Sequence, residues 1–162
     1  MAKNDLSSRD RKVVAILDLI FPKFCVGCEK EGSFLCKKCQ NDILEVAMQV
    51  CPKCQRLSSQ GKYCLGCRDR DIYLKGIITS VYFEEGPIKD MIHNFKYNSV
   101  IEFKEILGKL MAEIEDFPEI DVITFAPLHK KRFAQRGYNQ AELLAEEISR
   151  KKKIEKKELV IK

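Results

Sequence analysis

The sequence predicts an α/β domain preceded by a small cysteine-rich module, and three observations carry that prediction. All eight cysteines fall between Cys25 and Cys67. The composition turns β-branched and aromatic after Asp71. From Gly76 onward the pattern runs strand, helices, strand, loop, helix, which is the order of an α/β layer. The expected organisation is an N-terminal helix over residues 1–20, the cysteine module over 21–70 and the α/β segment over 76–162.

Each element has a local reason. Ser7 or Ser8 caps the first helix, whose apolar positions Val13, Ile16, Leu17 and Ile20 recur at helical spacing, and Pro22 ends it. The cysteine module has little apolar content beyond Phe34, Leu35, Ile43, Leu44 and Val46, too little to hold a core without a staple. Gly76–Phe83 (GIITSVYF) reads as a strand and Glu84–Pro87 as a turn. Pro87 then opens a short helix carrying Ile88, Met91, Ile92 and Phe95. A longer helix sets Phe103, Ile106, Leu107, Leu110, Met111 and Ile114 on one stripe. Asp121–Ala126 (DVITFA) reads as a buried strand, Pro127 opens a loop, and Asn139 caps a helix with Ala141, Leu144, Ala145 and Ile148 inward. Leu159–Ile161 resembles a further strand beginning where the sequence ends, so the chain reads as truncated.

The cysteines form four C-x2-C pairs: Cys25 with Cys28, Cys36 with Cys39, Cys51 with Cys54, and Cys64 with Cys67. Met1–Asp10 is polar and has no apolar core of a secretion signal, so a cytoplasmic location is expected. Paired thiols at short spacing in a reducing compartment read as metal ligands. Each pair forms a knuckle with two sulfurs toward one ion, and two knuckles complete a tetrahedron. The simplest pairing is sequential: Cys25, Cys28, Cys36 and Cys39 for one zinc, and Cys51, Cys54, Cys64 and Cys67 for the other. A cross-brace pairing stays open. A disulfide or redox set competes with this reading, and iron–sulfur ligation has different usual spacing. Eight cysteines fill two sites completely, so the expected zinc is structural.

Hydrophobic residues make up 45% and charged residues 33% of the 162 residues, as in ordinary globular chains. No apolar run approaches the roughly 20 residues of a membrane span, so no membrane partner is expected. Eight zinc-bound thiolates would lower the formal net charge of +5 to about +1. The basic balance is therefore weak evidence for nucleic acid. Lys151–Lys153 with Lys156 and Lys157 reads as the solvated end of a helix, interrupted by Glu155 and Glu158, more readily than as a DNA-binding tail. His93 reads as solvent-facing, and His129 as a loop side chain.

The stretch Pro127–Ala145 (PLHKKRFAQRGYNQAELLA) gathers Lys130, Lys131, Arg132 and Arg136 ahead of Gly137 and a capped helix. Cations, a flexible glycine and helix N-terminal amides after a strand are the parts of an anion site. A solvated basic loop is the competing reading. Pro127, Leu128, Arg132, Arg136, Gly137, Tyr138, Asn139, Gln140, Leu143, Leu144 and Ala145 resemble, in order, the signature of the ComF family. Gly86, Pro87, Ile88, Ile92, Lys96 and Tyr97 resemble that family's turn, helix and Lys-aromatic element, and the four cysteine pairs resemble its N-terminal double zinc ribbon.

The resemblance implies a partial type I phosphoribosyltransferase-like domain behind a double zinc ribbon, in a family associated with competence and DNA uptake. It implies phosphoribosyl pyrophosphate as a weakly held ligand, with magnesium accompanying it in a full-length form. Arg132, Arg136 and Gly137 would then lie near the pyrophosphate, while Tyr138, Asn139 and Gln140 fix the loop and cap the helix. DNA or the DNA-uptake machinery is the implied partner. The family's acidic pair and Thr-rich turn, which hold the ribose and 5′-phosphate, have no match here. The adjacent pair Glu84 and Glu85 leads into Gly86 and Pro87 with no threonine. The chain by itself is therefore expected to transfer no phosphoribosyl group. The alternative is a non-enzymatic zinc-ribbon module that binds nucleic acid or a protein partner.

Overall fold

The computed structural model describes residues 22–69, 73–83 and 86–159. The helix expected over residues 1–20 and the pair Glu84 and Glu85 lie outside them. The chain divides into two compact units, Met1–Asp42 and Ile43–Lys162.

In the first unit, Phe24 and Glu31 form a single antiparallel bridge that closes a knuckle around Cys25 and Cys28. Glu29 N–H donates to the Cys25 carbonyl at 2.8 Å, and Glu29 adopts a left-handed φ of 59° to complete the tight turn. The second cysteine pair begins a five-residue helix, α1 (Lys37–Asn41), which carries Cys39 inward.

In the second unit the knuckle motif recurs, with Val50 bridged to Leu57, Gln55 N–H on the Cys51 carbonyl at 2.9 Å and Gln55 at φ 59°. A 3-10 turn, Ser59–Gly61, leads to the Cys64–Cys67 knuckle. Asp116 caps that turn, accepting from Gln60 N–H and from Ser59 Oγ.

The strand expected over Gly76–Phe83 is a correction. Among the described residues the segment pairs only through the single bridges Lys62–Gly76 and Glu45–Val81, without a continuous ladder. Its partner is the irregular backbone of the cysteine module, which cannot offer donors at a regular strand repeat. Gln49 fills one break: its buried amide donates to the Thr79 carbonyl and accepts from Thr79 N–H, both at 2.9 Å. Gly61 and Gly76 let the chains approach, since a Cβ on Gly76 would lie 2.6 Å from the Gly61 carbonyl oxygen.

The helices follow their apolar spacing. α2 (Ile88–Tyr97) buries Ile88, Met91 and Phe95 completely, and α3 (Phe103–Ala112) buries Phe103, Leu107, Leu110 and Ala112. Gly108 on α3 faces Glu147 so closely that a Cβ there would overlap the Glu147 Cβ. A small residue at this point sets how near the two helices pack.

Among the described residues, the expected strand at Asp121–Ala126 is ladder-paired only at β1 (Val122–Ile123), although Phe125 is still buried. The basic stretch is the second correction: Lys130–Arg136 is a helix, α4, not a loop. His129 Nδ1 accepts from Lys131 N–H at 3.2 Å and serves as the N-cap, and Gly137 at φ 78° ends the helix. The Lys, Arg, Gln and Ala between them are good helix formers. α5 (Gln140–Lys152) follows, capped as expected by Asn139, whose Oδ1 accepts from Ala141 N–H at 3.1 Å.

Lys153 leaves α5 in the left-handed conformation, and β2 (Glu155–Lys156) returns parallel to β1, pairing Val122 with Glu155 and Ile123 with Lys156. β2 is not among the expected elements; of the strand expected at Leu159–Ile161 only Leu159 is described, outside any ladder, and residues 160–162 lie outside the described ones. A parallel pair joined through helices is an α/β connection. Ile123, Phe125 and Ala145 make its core, with Ala141, Ile148 and Ile154 packed around them.

Candidate metal centres and a cationic cleft

The cysteines assemble in two groups of four, Cys25, Cys28, Cys36 and Cys39, and Cys51, Cys54, Cys64 and Cys67, each with its sulfurs within 4.8 Å of one another. The sequential pairing is thus the one formed. Sulfur–sulfur distances of 3.6 Å (Cys28 to Cys36) and 3.7 Å (Cys54 to Cys64) are far from a disulfide bond. Four sulfurs about 2.3 Å from a zinc ion stand about 3.8 Å apart, so the spacing suits tetrahedral zinc.

The thiols hold their protons unevenly. The Arg56 side chain brings Cys54 down to about 6. Burial opposes ionisation of Cys25, but the backbone amides of Cys36, Gly27 and Cys28 outweigh it and bring that thiol to about 6. Side-chain hydrogen bonds from Cys54 and Cys64 push Cys67 up to about 12, and burial is the main force pushing Cys39 up. A divalent cation removes this conflict, because every ligand then binds as thiolate. Both groups fit a structural zinc ion and leave no protein-free position for catalysis.

The second site is a cleft of about 470 Å³ in the second unit, lined by Lys96, Tyr97, Ser99, Arg132, Gln135 and Arg136. Lys96 and Tyr97 come from the last turn of α2. Arg132 and Arg136 are one turn apart on α4 and share its face. Arg136 is held twice: its guanidinium lies 5.0 Å from the Tyr97 ring centroid, and Nη1 donates to Gln140 Oε1 at 3.0 Å. Gln140 Nε2 is buried with no partner among the described residues.

The remaining motif residues are framework. Tyr138 donates its hydroxyl to the Phe95 carbonyl, tying the α4–α5 connection to α2. Asn139 donates Nδ2 to the Ala126 carbonyl at 3.1 Å while capping α5. Gly137 closes α4 and does not line the cleft. The lining comes from the C-terminal end of α2, from Ser99 just beyond it and from one face of α4, not from the amides that begin α5, so the positive character is that of three side chains. Lys96, Tyr97, Ser99 and Gln135 carried no assigned role in the sequence reading. The Lys96–Tyr97 pair was its only trace, because the convergence depends on how α2 packs against the Tyr138 connection. His93 is exposed beside Tyr97. Lys152 and Lys156 are engaged, over the Phe117 ring at 4.5 Å and with Glu142 at 3.4 Å.

Two units of paired knuckles with two tetrathiolate groups define a zinc-ribbon protein, and the family model of the double zinc ribbon domain matches residues 16–68. Over 131 residues the chain is 30% identical to Competence protein ComFC of Bacillus subtilis (strain 168), covering 75% of this chain and 54% of that protein. It is 28% identical over 141 residues to Competence protein F of Haemophilus influenzae, covering 78% of this chain and 59% of the relative. It is 24% identical over 121 residues to Competence protein ComFC of Streptococcus pneumoniae, covering 72% and 53%. The chain belongs to the ComF family. It spans about half the length of these curated relatives. No solved structure matches it. Among the described residues, no helix is long and apolar enough to cross a membrane.

Proposed function

We propose that the cleft between α2 and α4 binds the pyrophosphate portion of phosphoribosyl pyrophosphate, and that residues 76–162 form the N-terminal part of a phosphoribosyltransferase-like domain behind the double zinc ribbon of residues 21–70. The observation that carries this reading is the convergence of Lys96, Arg132 and Arg136 on one cavity. Guanidinium groups pair with phosphate oxygens through two parallel N–H donors, and Lys96 adds a point charge. Arg136 is already oriented by Tyr97 and Gln140, so little freedom is lost when a ligand arrives.

The role follows from charge. When a nitrogen nucleophile displaces pyrophosphate, negative charge grows on the leaving group, and fixed cations stabilise it. Magnesium would accompany the ligand. The acidic and threonine-rich turn that would hold the ribose is not among these 162 residues. The proposal for this polypeptide by itself is therefore binding without phosphoribosyl transfer. Competence enters through the relatives' names; DNA uptake, with DNA or the uptake machinery as partner, is what the family resemblance implies, and both belong to the same proposal.

Calorimetry of the zinc-loaded chain with pyrophosphate and with phosphoribosyl pyrophosphate tests the reading. The Arg132→Ala/Arg136→Ala double variant is expected to lose most of the binding. Equal binding by wild type and variant would leave the cleft a solvated surface.

A further inference from the structure

We infer that the two four-cysteine centres differ in how readily they release zinc, and that Arg56 makes the second the slow one. The two knuckles are built alike: Phe24–Glu31 and Val50–Leu57 form matching bridges. Cys25 N–H donates to the Lys30 carbonyl at 2.9 Å, as Cys51 N–H donates to the Arg56 carbonyl at 2.8 Å. Lys30 and Arg56 thus hold the same place in their knuckles, yet they act differently. Arg56 donates Nε to Cys54 Sγ at 3.4 Å and Nη2 to Cys64 Sγ at 3.6 Å. Those sulfurs belong to different knuckles, so one planar group ties the two halves of the ligand set together. Lys30 and Arg56 are both exposed, but among the described residues the Lys30 side chain makes no hydrogen bond to a cysteine of the first set.

Cys28 is the one exposed ligand of the eight and opens an edge of the first set, although Cys25 and Cys39 there are buried. The second set has Cys51 buried and Cys54, Cys64 and Cys67 half-buried, so the inequality rests chiefly on the guanidinium bridge. A zinc ion with four thiolates carries two net negative charges. A guanidinium donating to two of the sulfurs offsets part of that charge and resists protonation or electrophilic attack, the steps by which a thiolate leaves the metal. An ammonium, with one flexible head, cannot span both sulfurs. Outer residues that orient metal ligands typically change metal affinity by about 10–100-fold. The inference concerns the metal centres alone and stands whether or not the cleft binds phosphate.

The test is zinc release from the full chain into excess 4-(2-pyridylazo)resorcinol, followed by absorbance, with circular dichroism confirming that each variant is folded at the start. Wild type is expected to release zinc in two phases, with Cys28→Ser abolishing the fast one. Arg56→Ala should speed the slow phase about 10–100-fold and leave the fast phase unchanged. Arg56→Lys, which keeps the charge but not the fork, should behave nearly like Arg56→Ala. A single phase in wild type overturns the inequality. Wild-type release from Arg56→Ala, or from Arg56→Lys, overturns the role given to the bridging guanidinium.

Discussion

The Arg136 guanidinium lies over the Tyr97 ring, 5.0 Å from its centroid, and this stack joins the end of α4 to the end of α2 across the cleft. The ring fixes where the cation points without neutralising it, as a carboxylate would. Tyr97 is thereby a positioning residue. Replacing it with Ala should weaken pyrophosphate binding by roughly 2–5-fold, the equivalent of about 0.5–1 kcal/mol for an exposed cation–aromatic contact. Tyr97→Phe keeps the ring face and should bind nearly as wild type. A Phe variant as weak as the Ala variant would assign the effect to the hydroxyl instead.

A second contact supports the same geometry. Tyr138 donates to the Phe95 carbonyl, and their rings lie 5.8 Å apart. Tyr138→Phe keeps the packing and removes the hydrogen bond, so it should cost about 1 kcal/mol in chemical denaturation. Burial raises the Tyr138 phenol above its ordinary value of 10.0. A group whose folded value is raised lends stability that is full below the unfolded value, near 10, and is lost as pH rises through the folded one. The gap between wild type and Tyr138→Phe should therefore be constant at neutral pH and close in strong alkali.

The second metal centre should hold more than its own loop. The segment 74–82 takes its backbone partners from the cysteine module: Val46 N–H donates to Ser80, Ile77 N–H to Gly61, and Gln49 spans Thr79. Structural zinc contributes on the order of 10–16 kcal/mol to zinc-finger peptides at neutral pH. Cys51→Ser should therefore collapse hydrogen-exchange protection at the Thr79 and Ile77 amides, while those of α5 stay protected. Retained protection at Thr79 in a variant that has lost this zinc would mean the segment is held by something else.

How far the sequence was legible differs by element. The metal centres could be read because a C-x2-C spacing is local and each knuckle is set by its own residues. Asn139 as a cap and the stripes of Ile88, Met91 and Phe95 or Phe103, Leu107 and Leu110 are local too. Gly76–Phe83 misled because β-branched composition reports an extended chain but not the regularity of its partner. The helix at Lys130–Arg136 escaped because its start depends on His129 acting as a cap, a less usual choice than Asn or Asp. The cleft itself was half visible: Arg132 and Arg136 stood out by charge, whereas Lys96 and Ser99 join them only through tertiary packing.

The most direct measurement is nitrogen and side-chain NMR of the zinc-loaded chain titrated with pyrophosphate. The perturbed signals should cluster on the Lys96, Tyr97 and Ser99 backbone and on the Arg132 and Arg136 guanidinium groups. Perturbations centred instead on Lys151–Lys157 or on the cysteine knuckles, or none at all, would contradict the assignment of the α2–α4 cleft as the phosphate site.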